Sequence, residues 1–126
     1  MSYLLDTHTL LWSFYKEEQL SDAVRDTIEN ADELYVSIVT LWEIAIKQSI
    51  GKLDFKQSIV DIANECLRQD IQILDMKPEH CEIIKTLPII HSDPFDRMII
   101  AQAIHEKMTI ISKDGKISQY PVNCLW

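Results

Sequence analysis

The chain has 126 residues, of which 47% are hydrophobic and 25% are charged. This length suits a single domain over residues 1–126, and this composition excludes a disordered, collagen-like or low-complexity protein. Acidic residues outnumber basic ones by 20 to 12, and the formal net charge of −8 repels nucleic acid and anionic membranes, so any polyanion has to be held locally.

The hydrophobic periodicity predicts short strands that alternate with helices along the whole chain. In chain order, we expect a strand over 3–5, helices over 7–15 and from Ser21 to about 31, a strand over 34–39, helices from Thr40 to Gly51 and over 57–69, a strand over 71–74, a helix over 77–87, a longer helix opened by Asp93 and Pro94, and strands over 109–112 and 122–125. Thr40 and Glu43 have the S/T-x-x-E spacing of a capping box.

This order of elements indicates the fold class. Short strands that alternate with helices are typical of an α/β fold with a mainly parallel central sheet, here of four to five strands flanked by helices on both faces. Two helices separate some consecutive strands, which departs from the simplest doubly wound pattern. Only two glycines and four prolines occur, too few turn residues for an all-β sandwich.

Cysteine usage and hydropathy indicate the compartment. Cys66, Cys81 and Cys124 are odd in number and widely spaced, and they form no CxxC pair and no zinc-type spacing, so we expect neither a disulfide framework nor structural zinc. No apolar segment approaches the ~20 residues that span a bilayer, and the beginning of the chain lacks the pattern of a secretion signal. We therefore expect a cytoplasmic protein without a membrane partner.

Acidic residues from distant parts of the chain fall at the same predicted edge of the sheet. Asp6 follows the first strand, and Asp114 lies just beyond the fourth. Glu43 lies in the predicted first turn of the helix after the second strand, and Asp93 and Asp96 begin the helix that leads into the fourth strand. Because the carboxyl ends of parallel strands form one edge, where open sheets place their functional crevice, we expect these acids to converge there.

Such a cluster is costly without a compensating charge. Two unit charges about 4 Å apart repel by about 4 kcal/mol at an effective dielectric constant of about 20. Carboxylates and water are the ligands that Mg²⁺ and Mn²⁺ prefer, and the N-termini of two predicted helices would add partial positive charge. The joint placement of the acids therefore predicts a site for a divalent cation.

Each acid considered alone also has a purely structural explanation. Glu43 can belong to a helix cap or pair with Lys47 one turn later. Asp93 can be a simple N-cap with Asp96 in the same first turn, and Asp114 can be a turn residue. The placement of all of them at one edge favours the metal site over these separate explanations.

Other polar and aromatic residues carry weaker signals. The basic residues near the acidic edge could form a phosphate-binding rim or a solvated charged face; they are Lys47, Lys52, Lys56, Arg97, Lys113 and Lys116. The four histidines lack a metal-binding or triad-like grouping, and we interpret them as surface or hydrogen-bonding residues. We interpret the three tryptophans, Trp12, Trp42 and Trp126, as core or interface anchors and not as base-stacking platforms.

Four segments together resemble the PIN-domain nucleases, and in particular the VapC-like toxins of toxin–antitoxin pairs. The segments are LDTHTLLW at 5–12, VSIVTLWEIAIK at 36–47, HSDPFDRMIIAQA at 91–103 and IISKD at 110–114. Their order and spacing match, and the resemblance extends over essentially the whole chain. It implies an endoribonuclease that depends on Mg²⁺ or Mn²⁺, an antitoxin that inhibits it, and a homodimer.

The resemblance also implies roles for individual residues. The catalytic, metal-binding acids would be Asp6, Glu43, Asp96 and Asp114, with Asp93 as an auxiliary acid or helix cap. Thr7 and Ser112 occupy places where such proteins often have a small hydroxyl near the site, and Lys47 and Arg97 are auxiliary candidates. Bound metal would activate a water that attacks an RNA phosphodiester, so that no covalent nucleophile is needed.

Three other functions compete with this interpretation. A haloacid-dehalogenase-like phosphatase needs a second aspartate two residues after the first, where this chain has His8. A receiver-type phosphoacceptor domain gives no reason for Glu43 or for the Asp93-to-Asp96 segment. A non-catalytic module with the same fold, which binds a basic partner through the acidic groove, is the main alternative, and metal-dependent cleavage would separate it from a nuclease.

Overall fold

Five short parallel strands form one sheet in the computed structural model, which describes residues 1–126. The strands are β1 (Ser2–Leu5), β2 (Glu33–Ser37), β3 (Ile71–Leu74), β4 (Thr109–Ile111) and β5 (Cys124–Leu125). The helices are α1 (Thr7–Tyr15), α2 (Asp22–Asn30), α3 (Ile38–Ser49), α4 (Ile59–Arg68), α5 (Pro78–Thr86) and α6 (Pro94–Glu106), with single 3-10 turns at Glu17–Gln19 and Ile117–Gln119. The predicted α/β fold with a parallel sheet is confirmed.

The strand order β3-β2-β1-β4-β5 places the first strand at the centre of the sheet. Leu5 at the end of β1 is in register with Val36 of β2 and with Ile111 of β4. Two helices separate β2 from β3 and two separate β3 from β4, as the hydrophobic pattern predicts. Because all the strands are parallel, the residues that follow β1, β2 and β4 emerge at one edge.

The core has two halves, one on each face of the sheet. Successive side chains of a strand point to opposite faces, and Leu4 and Leu5 accordingly belong to different clusters although neither is exposed. Helices α1 to α4 cover the face of Leu5, and α5 and α6 cover the face of Leu4. Burial on both faces explains why the strands are short apolar runs without alternation.

The start of α3 differs from the prediction. Strand β2 ends at Ser37 and not at 39, because the Ser37 hydroxyl accepts a hydrogen bond from the Val39 N–H at 3.0 Å and caps the helix at Ile38. The S/T-x-x-E capping box predicted at Thr40 is therefore wrong: Thr40 already lies inside α3, and Glu43 lies in the second turn and not in the first. The helix ends as predicted, before a glycine with a φ of +69° at Gly51.

No helix in the structure combines the length and the apolar character that a membrane span requires.

Candidate active site

A cleft of about 280 Å³ lies at the carboxyl edge of the sheet. Charged and polar side chains dominate its wall, and one lining residue is hydrophobic. The lining residues are Asp6, Thr7, His8, Trp12, Glu43, Lys47, Asp93, Asp96, Lys113 and Asp114. The five acids that the sequence places at this edge therefore share one cavity.

Asp6 is a buried residue that lines the cleft. It follows β1 and caps α1, because its carboxylate accepts a hydrogen bond from the Thr9 backbone N–H at 2.9 Å. Burial raises the pKa of the Asp6 carboxyl above its usual value, although hydrogen bonds from the Ser112 and Thr9 side chains oppose this effect. Ser112, which follows β4, is itself buried. A carboxylate in such an environment is stabilised by a nearby cation.

Glu43 is 3% exposed and each of its carboxylate oxygens has a partner. The Thr7 hydroxyl donates a hydrogen bond to one oxygen at 2.6 Å, and the Lys47 ammonium donates to the other at 2.5 Å. Burial lowers the pKa of Lys47, but the hydrogen bond to Glu43 and the charges of Glu43, Asp93 and Asp96 outweigh burial and raise it. Lys47 is therefore a cation that compensates part of the acidic charge.

Asp93 and Asp96 lie at the start of α6. The Asp93 carboxylate accepts a backbone N–H of the first turn at 2.8 Å, so Asp93 is the N-cap, as its position before a proline predicts. Burial and the charges of Asp93, Glu43 and Asp6 raise the pKa of Asp96 to about 7, against the opposing effect of His91. Burial and the neighbouring acids therefore bring the pKa of Asp96 close to neutral pH.

His91 joins Asp96 to Asp114 through one ring nitrogen. Its Nε2 lies 3.0 Å from Asp96 Oδ2 and 2.8 Å from Asp114 Oδ2. The other ring nitrogen, Nδ1, accepts the Asp93 backbone N–H at 3.3 Å, which leaves Nε2 to donate its hydrogen bond to Asp114, with Asp96 in contact beside it. Burial raises the pKa of Asp114, but hydrogen bonds from the Lys116 backbone and from His91 outweigh burial and lower it.

A network behind the cleft fixes the loop that carries His91. The Tyr120 hydroxyl accepts the backbone N–H groups of Ile90 at 3.0 Å and His91 at 2.8 Å, and it donates to the Pro88 carbonyl at 2.9 Å. The Arg97 guanidinium donates to the same carbonyl at 2.9 Å and to further carbonyls of the segment before α6. Arg97 therefore holds the loop from behind and does not line the cleft.

The donor set of the cleft fits a hard divalent cation. Carboxylate oxygens are the ligands that Mg²⁺ and Mn²⁺ prefer, and those of Asp6, Glu43, Asp96 and Asp114 all face one cavity. Besides burial, the charges of Asp93, Glu43 and Asp6 raise the pKa of Asp96, so Lys47 and the helix N-termini do not compensate the acidic charge around Asp96 fully. A bound cation would supply the missing positive charge.

Comparison with known proteins supports the same conclusion. The chain matches the PIN domain family over residues 3–123. It belongs to the PIN domain family. It is also 26% identical over 118 residues to Ribonuclease VapC22 of Mycobacterium tuberculosis (strain ATCC 25618 / H37Rv), an alignment that covers 93% of this chain and 90% of that protein. The resemblance to PIN-domain nucleases that four sequence segments carry is thereby confirmed.

Solved structures share the PIN fold over nearly the full chain. VapBC2 from Rickettsia felis, bound to a DNA fragment from their promoter, aligns with a TM-score of 0.70 and 19% identity, covering 99% of this chain and 98% of that one. A toxin-antitoxin complex from Klebsiella pneumoniae aligns with a TM-score of 0.65 and 16% identity, covering 99% and 97%. At these identities the likeness concerns the fold.

Most of the side chains predicted for the site of this PIN domain lie together. Asp6, Thr7, Glu43, Lys47, Asp93, Asp96, Lys113 and Asp114 line the cleft, and Ser112 lies directly behind Asp6. The other predicted basic residues, Lys52, Lys56, Arg97 and Lys116, are not among the lining residues. Arg97 follows Asp96 directly on α6, but its guanidinium donates to the Pro88 carbonyl and to other carbonyls of the segment before α6.

Two lining residues of the cleft, His8 and Trp12, and one residue that contacts its acids, His91, were not predicted as site residues. His91 is buried, forms a hydrogen bond with Asp114 and lies 3.0 Å from Asp96, so its hydrogen-bonding role is correct but a surface position is wrong. Its position two residues before Asp93, next to the predicted acidic edge, is the signal that could have identified it. His8 and Trp12 line the cleft because they lie on the first turns of α1, directly after Asp6.

Proposed function

We propose that this PIN domain is an endoribonuclease that depends on Mg²⁺ or Mn²⁺ and hydrolyses RNA phosphodiester bonds with an activated water. The observation that carries the proposal is the convergence of five carboxylates, from four separate segments of the chain, on one cleft. The similarity to a protein named Ribonuclease VapC22 supports RNA as the substrate. The acidic cavity is the feature that a phosphodiester hydrolase with bound metal requires.

Asp6, Glu43, Asp96 and Asp114 would hold the cation, while Asp93 caps α6 and adds its charge. When bound, the cation would supply a Lewis acid for the phosphodiester and lower the pKa of a water. The surrounding side chains orient these carboxylates: they are Thr7 and Lys47 for Glu43, Ser112 for Asp6, and His91 for Asp96 and Asp114. Because these carboxylates are already oriented, they need to move little during the reaction.

Lys113 gives the substrate a positively charged contact. It lines the cleft next to Asp114 and forms no ion pair within the chain, whereas the ammonium of Lys47 is held by Glu43. A phosphate of the RNA that enters the acidic cleft would therefore meet Lys113 as its available side-chain cation. We assign Lys113 to substrate binding, because it is the lysine of the cleft whose ammonium is not paired with an acid.

The biological role that we propose is that of the toxin in a toxin–antitoxin pair. It rests on the family of the chain and on the similarity to the structure of a toxin-antitoxin complex from Klebsiella pneumoniae. The partner would be an antitoxin protein that blocks cleavage. We propose the cytoplasm as the location, because Cys66, Cys81 and Cys124 are all free thiols.

A second copy of the chain is the other partner that we propose. Trp42 is 58% exposed, and its ring packs edge-on against Phe95 with 5.2 Å between the ring centroids. Val39, Met76, Ile84, Pro94 and Met98 extend this apolar surface into a groove beside the cleft. An exposed apolar surface of this kind is typical of a protein–protein contact. Size-exclusion chromatography with light scattering on the wild type and on Trp42→Glu tests whether two copies of the chain associate through this surface.

The test of the nuclease is the cleavage of an end-labelled single-stranded RNA pool by purified protein in Mg²⁺, Mn²⁺ or EDTA. We expect cleavage in either metal, none in EDTA, and none by Asp96→Asn. Asp26→Asn is the matched control, since it changes an exposed acid outside the cleft. If the wild type neither cuts RNA nor binds metal calorimetrically, the nuclease is wrong and a non-catalytic module that binds a basic partner takes its place.

A further inference from the structure

An aromatic wall borders the acidic cleft on the side of α1. His8 and Trp12 both line the cleft, and Trp12 is the hydrophobic residue among the lining residues. The two residues are four apart on the helix and therefore share one face, with 5.5 Å between their ring centroids. His8 is exposed and Trp12 is partly exposed, so both rings can be reached from the cavity.

Trp12 is anchored by the core and is not a mobile surface ring. It packs against the half of the core that lies between the sheet and helices α1 to α4. Its ring meets that of Trp126 edge-on, with 5.8 Å between the centroids. A ring fixed in this way loses little conformational entropy when a ligand binds to it. The prediction of Trp12 as a core anchor is therefore incomplete, because the same side chain also forms part of the cleft wall.

The position of the aromatic wall relative to the acids suits an RNA strand that passes through the cleft. Trp12 lies six residues after Asp6 on α1, which corresponds to about 9 Å along the helix axis. A phosphate bound among the acids would therefore leave an adjoining nucleotide within reach of the wall. The acids can contact a phosphate only through a cation, whereas the indole of Trp12 offers the base of that nucleotide a flat apolar face beside the His8 ring, which is tilted to it by 42°.

Electrostatics make such a contact necessary for affinity. The net charge of −8 works against the phosphate attraction that dominates most protein–nucleic acid binding. Five acids and two lysines, Lys47 and Lys113, line the cleft, and Lys47 is paired with Glu43. Stacking of a base on an aromatic ring is nearly independent of charge and strengthens single-strand binding substantially for each base.

We propose that a base next to the cut phosphodiester stacks on the aromatic wall formed by His8 and Trp12, so that Trp12 is a substrate-binding residue. This inference rests on the proposed nuclease function and names how that site holds RNA. Because any base has a flat face, the wall accepts all four bases, and it favours purines since their rings are larger. The wall requires a single strand, whose bases are free to leave their neighbours.

The test compares the binding of two labelled oligomers of equal length by fluorescence anisotropy: single-stranded oligoadenylate, and a ribose-phosphate chain without bases. The assay contains Ca²⁺, which takes oxygen ligands as Mg²⁺ does, and gel electrophoresis checks that the RNA stays intact. We expect the wild type to bind oligoadenylate about tenfold or more tightly than the abasic chain. Equal binding of the two oligomers by the wild type overturns the proposal.

Three variants separate stacking from a structural role of the tryptophan. Trp12→Leu keeps an apolar side chain against the core and is expected to lose the preference for the base-bearing oligomer, whereas Trp12→Phe keeps most of it. Tyr15→Leu is the matched control, since Tyr15 lies on the same helix, packs against Phe55 and does not line the cleft. If Trp12→Leu melts like the wild type and keeps the preference, the wall is not a base platform.

Two further results complete the test. Should Trp12→Leu fail to fold, His8→Ala decides, because a weaker preference for the base-bearing oligomer supports the wall and an unchanged preference contradicts it. Cleavage of RNA in Mg²⁺ distinguishes this proposal from the nuclease itself. If the wild type cleaves RNA but binds the two oligomers equally, the stacking proposal alone is overturned. If it prefers the base-bearing oligomer but neither cuts RNA nor binds metal, the nuclease is overturned and the aromatic wall stays supported.

Discussion

The imidazole Nε2 of His91 lies 2.8 Å from Oδ2 of Asp114. The same nitrogen lies 3.0 Å from Asp96, so one N–H group joins the acid at the start of α6 to the acid that follows β4. The Asp93 backbone N–H fixes the tautomer through Nδ1, and the Tyr120 hydroxyl fixes the backbone of His91. His91 is thus a positioning residue for two of the proposed metal ligands.

His91→Ala is expected to lower the affinity for Mn²⁺ by about 10- to 100-fold, the usual effect of removing a hydrogen-bonding partner of metal ligands. The reason is that Asp96 and Asp114 lose the donor that orients both. Isothermal titration of Mn²⁺ measures the effect. His91→Gln, whose amide can still donate, should recover part of the affinity, and an affinity for His91→Ala equal to that of the wild type would contradict the positioning role.

Asp96→Asn is expected to stabilise the protein when metal is absent. Burial and the neighbouring acids raise the pKa of Asp96 to about 7, so its ionised form costs the folded state free energy. The neutral amide removes this cost and can still accept the hydrogen bond from His91. Denaturant unfolding in EDTA above neutral pH should show a gain on the order of 2 kcal/mol in the free energy of unfolding.

The control for this gain is Asp26→Asn, which removes one negative charge outside the cleft and should leave the stability unchanged. A loss of stability in Asp96→Asn would show that the acids do not repel one another in the folded state.

Divalent metal is expected to raise the melting temperature of the wild type more than that of Asp6→Asn. A ligand that binds only the folded state at 100 times its Kd adds about 2.7 kcal/mol of stability. Asparagine is also a good N-cap, so Asp6→Asn should keep the cap of α1 while it removes one carboxylate from the cleft. Differential scanning calorimetry with and without Mn²⁺ gives the comparison, and equal shifts would place the metal elsewhere.

Glu106, the last residue of α6, should contribute to the pH dependence of the free energy of unfolding. The hydrogen bonds that Glu106 accepts from buried His80 at 2.9 Å and from Lys77 at 3.2 Å hold its pKa below the ordinary 4.5, against the opposing effect of burial. A carboxyl whose pKa is lowered in the folded state stabilises it above the ordinary pKa, and this stabilisation is lost as the pH falls through the lowered value.

Glu106→Gln should therefore be less stable than the wild type by about 1–2 kcal/mol at about pH 6, and the difference should shrink as the pH falls below 4.5. Urea unfolding at several pH values measures it. Glu82→Gln is the control, because Glu82 pairs with Lys85 on the surface and such pairs contribute little. A difference that stays constant down to about pH 3 would mean that ionisation of Glu106 does not stabilise the fold.

The fold could be predicted largely from the sequence because each element carries its own local signal. The apolar strands and the amphipathic stripes fix the order of elements, and caps such as Ser21 and Asp93 mark the helix starts. The start of α3 was missed because Ser37 and Thr40 both offer a hydroxyl cap. The choice depends on the pairing of Ser37 with Leu74 in β3, a contact that no local pattern contains.

The acids of the cleft could be predicted because the topology rule places strand ends together, whereas their partners could not. The rule locates Asp6 and Asp114 from the sequence alone. It does not say that His91 lies within hydrogen-bond distance of Asp96, or that Arg97 donates to backbone carbonyls behind the loop. Those contacts depend on the direction of side chains after the helices have packed against each other.

The pairing of β1 with β4 has a consequence for how the protein is made. The central strand, residues 2–5, is synthesised first, yet its neighbour in the sheet comes more than a hundred positions later, together with Asp114. Synthesis proceeds at about 5–20 residues per second from the N-terminus, so the first strand waits for several seconds without this neighbour. A nascent chain that has not reached residue 114 has neither a complete sheet nor a complete acidic cleft, so the proposed cation site cannot form while the chain is still on the ribosome.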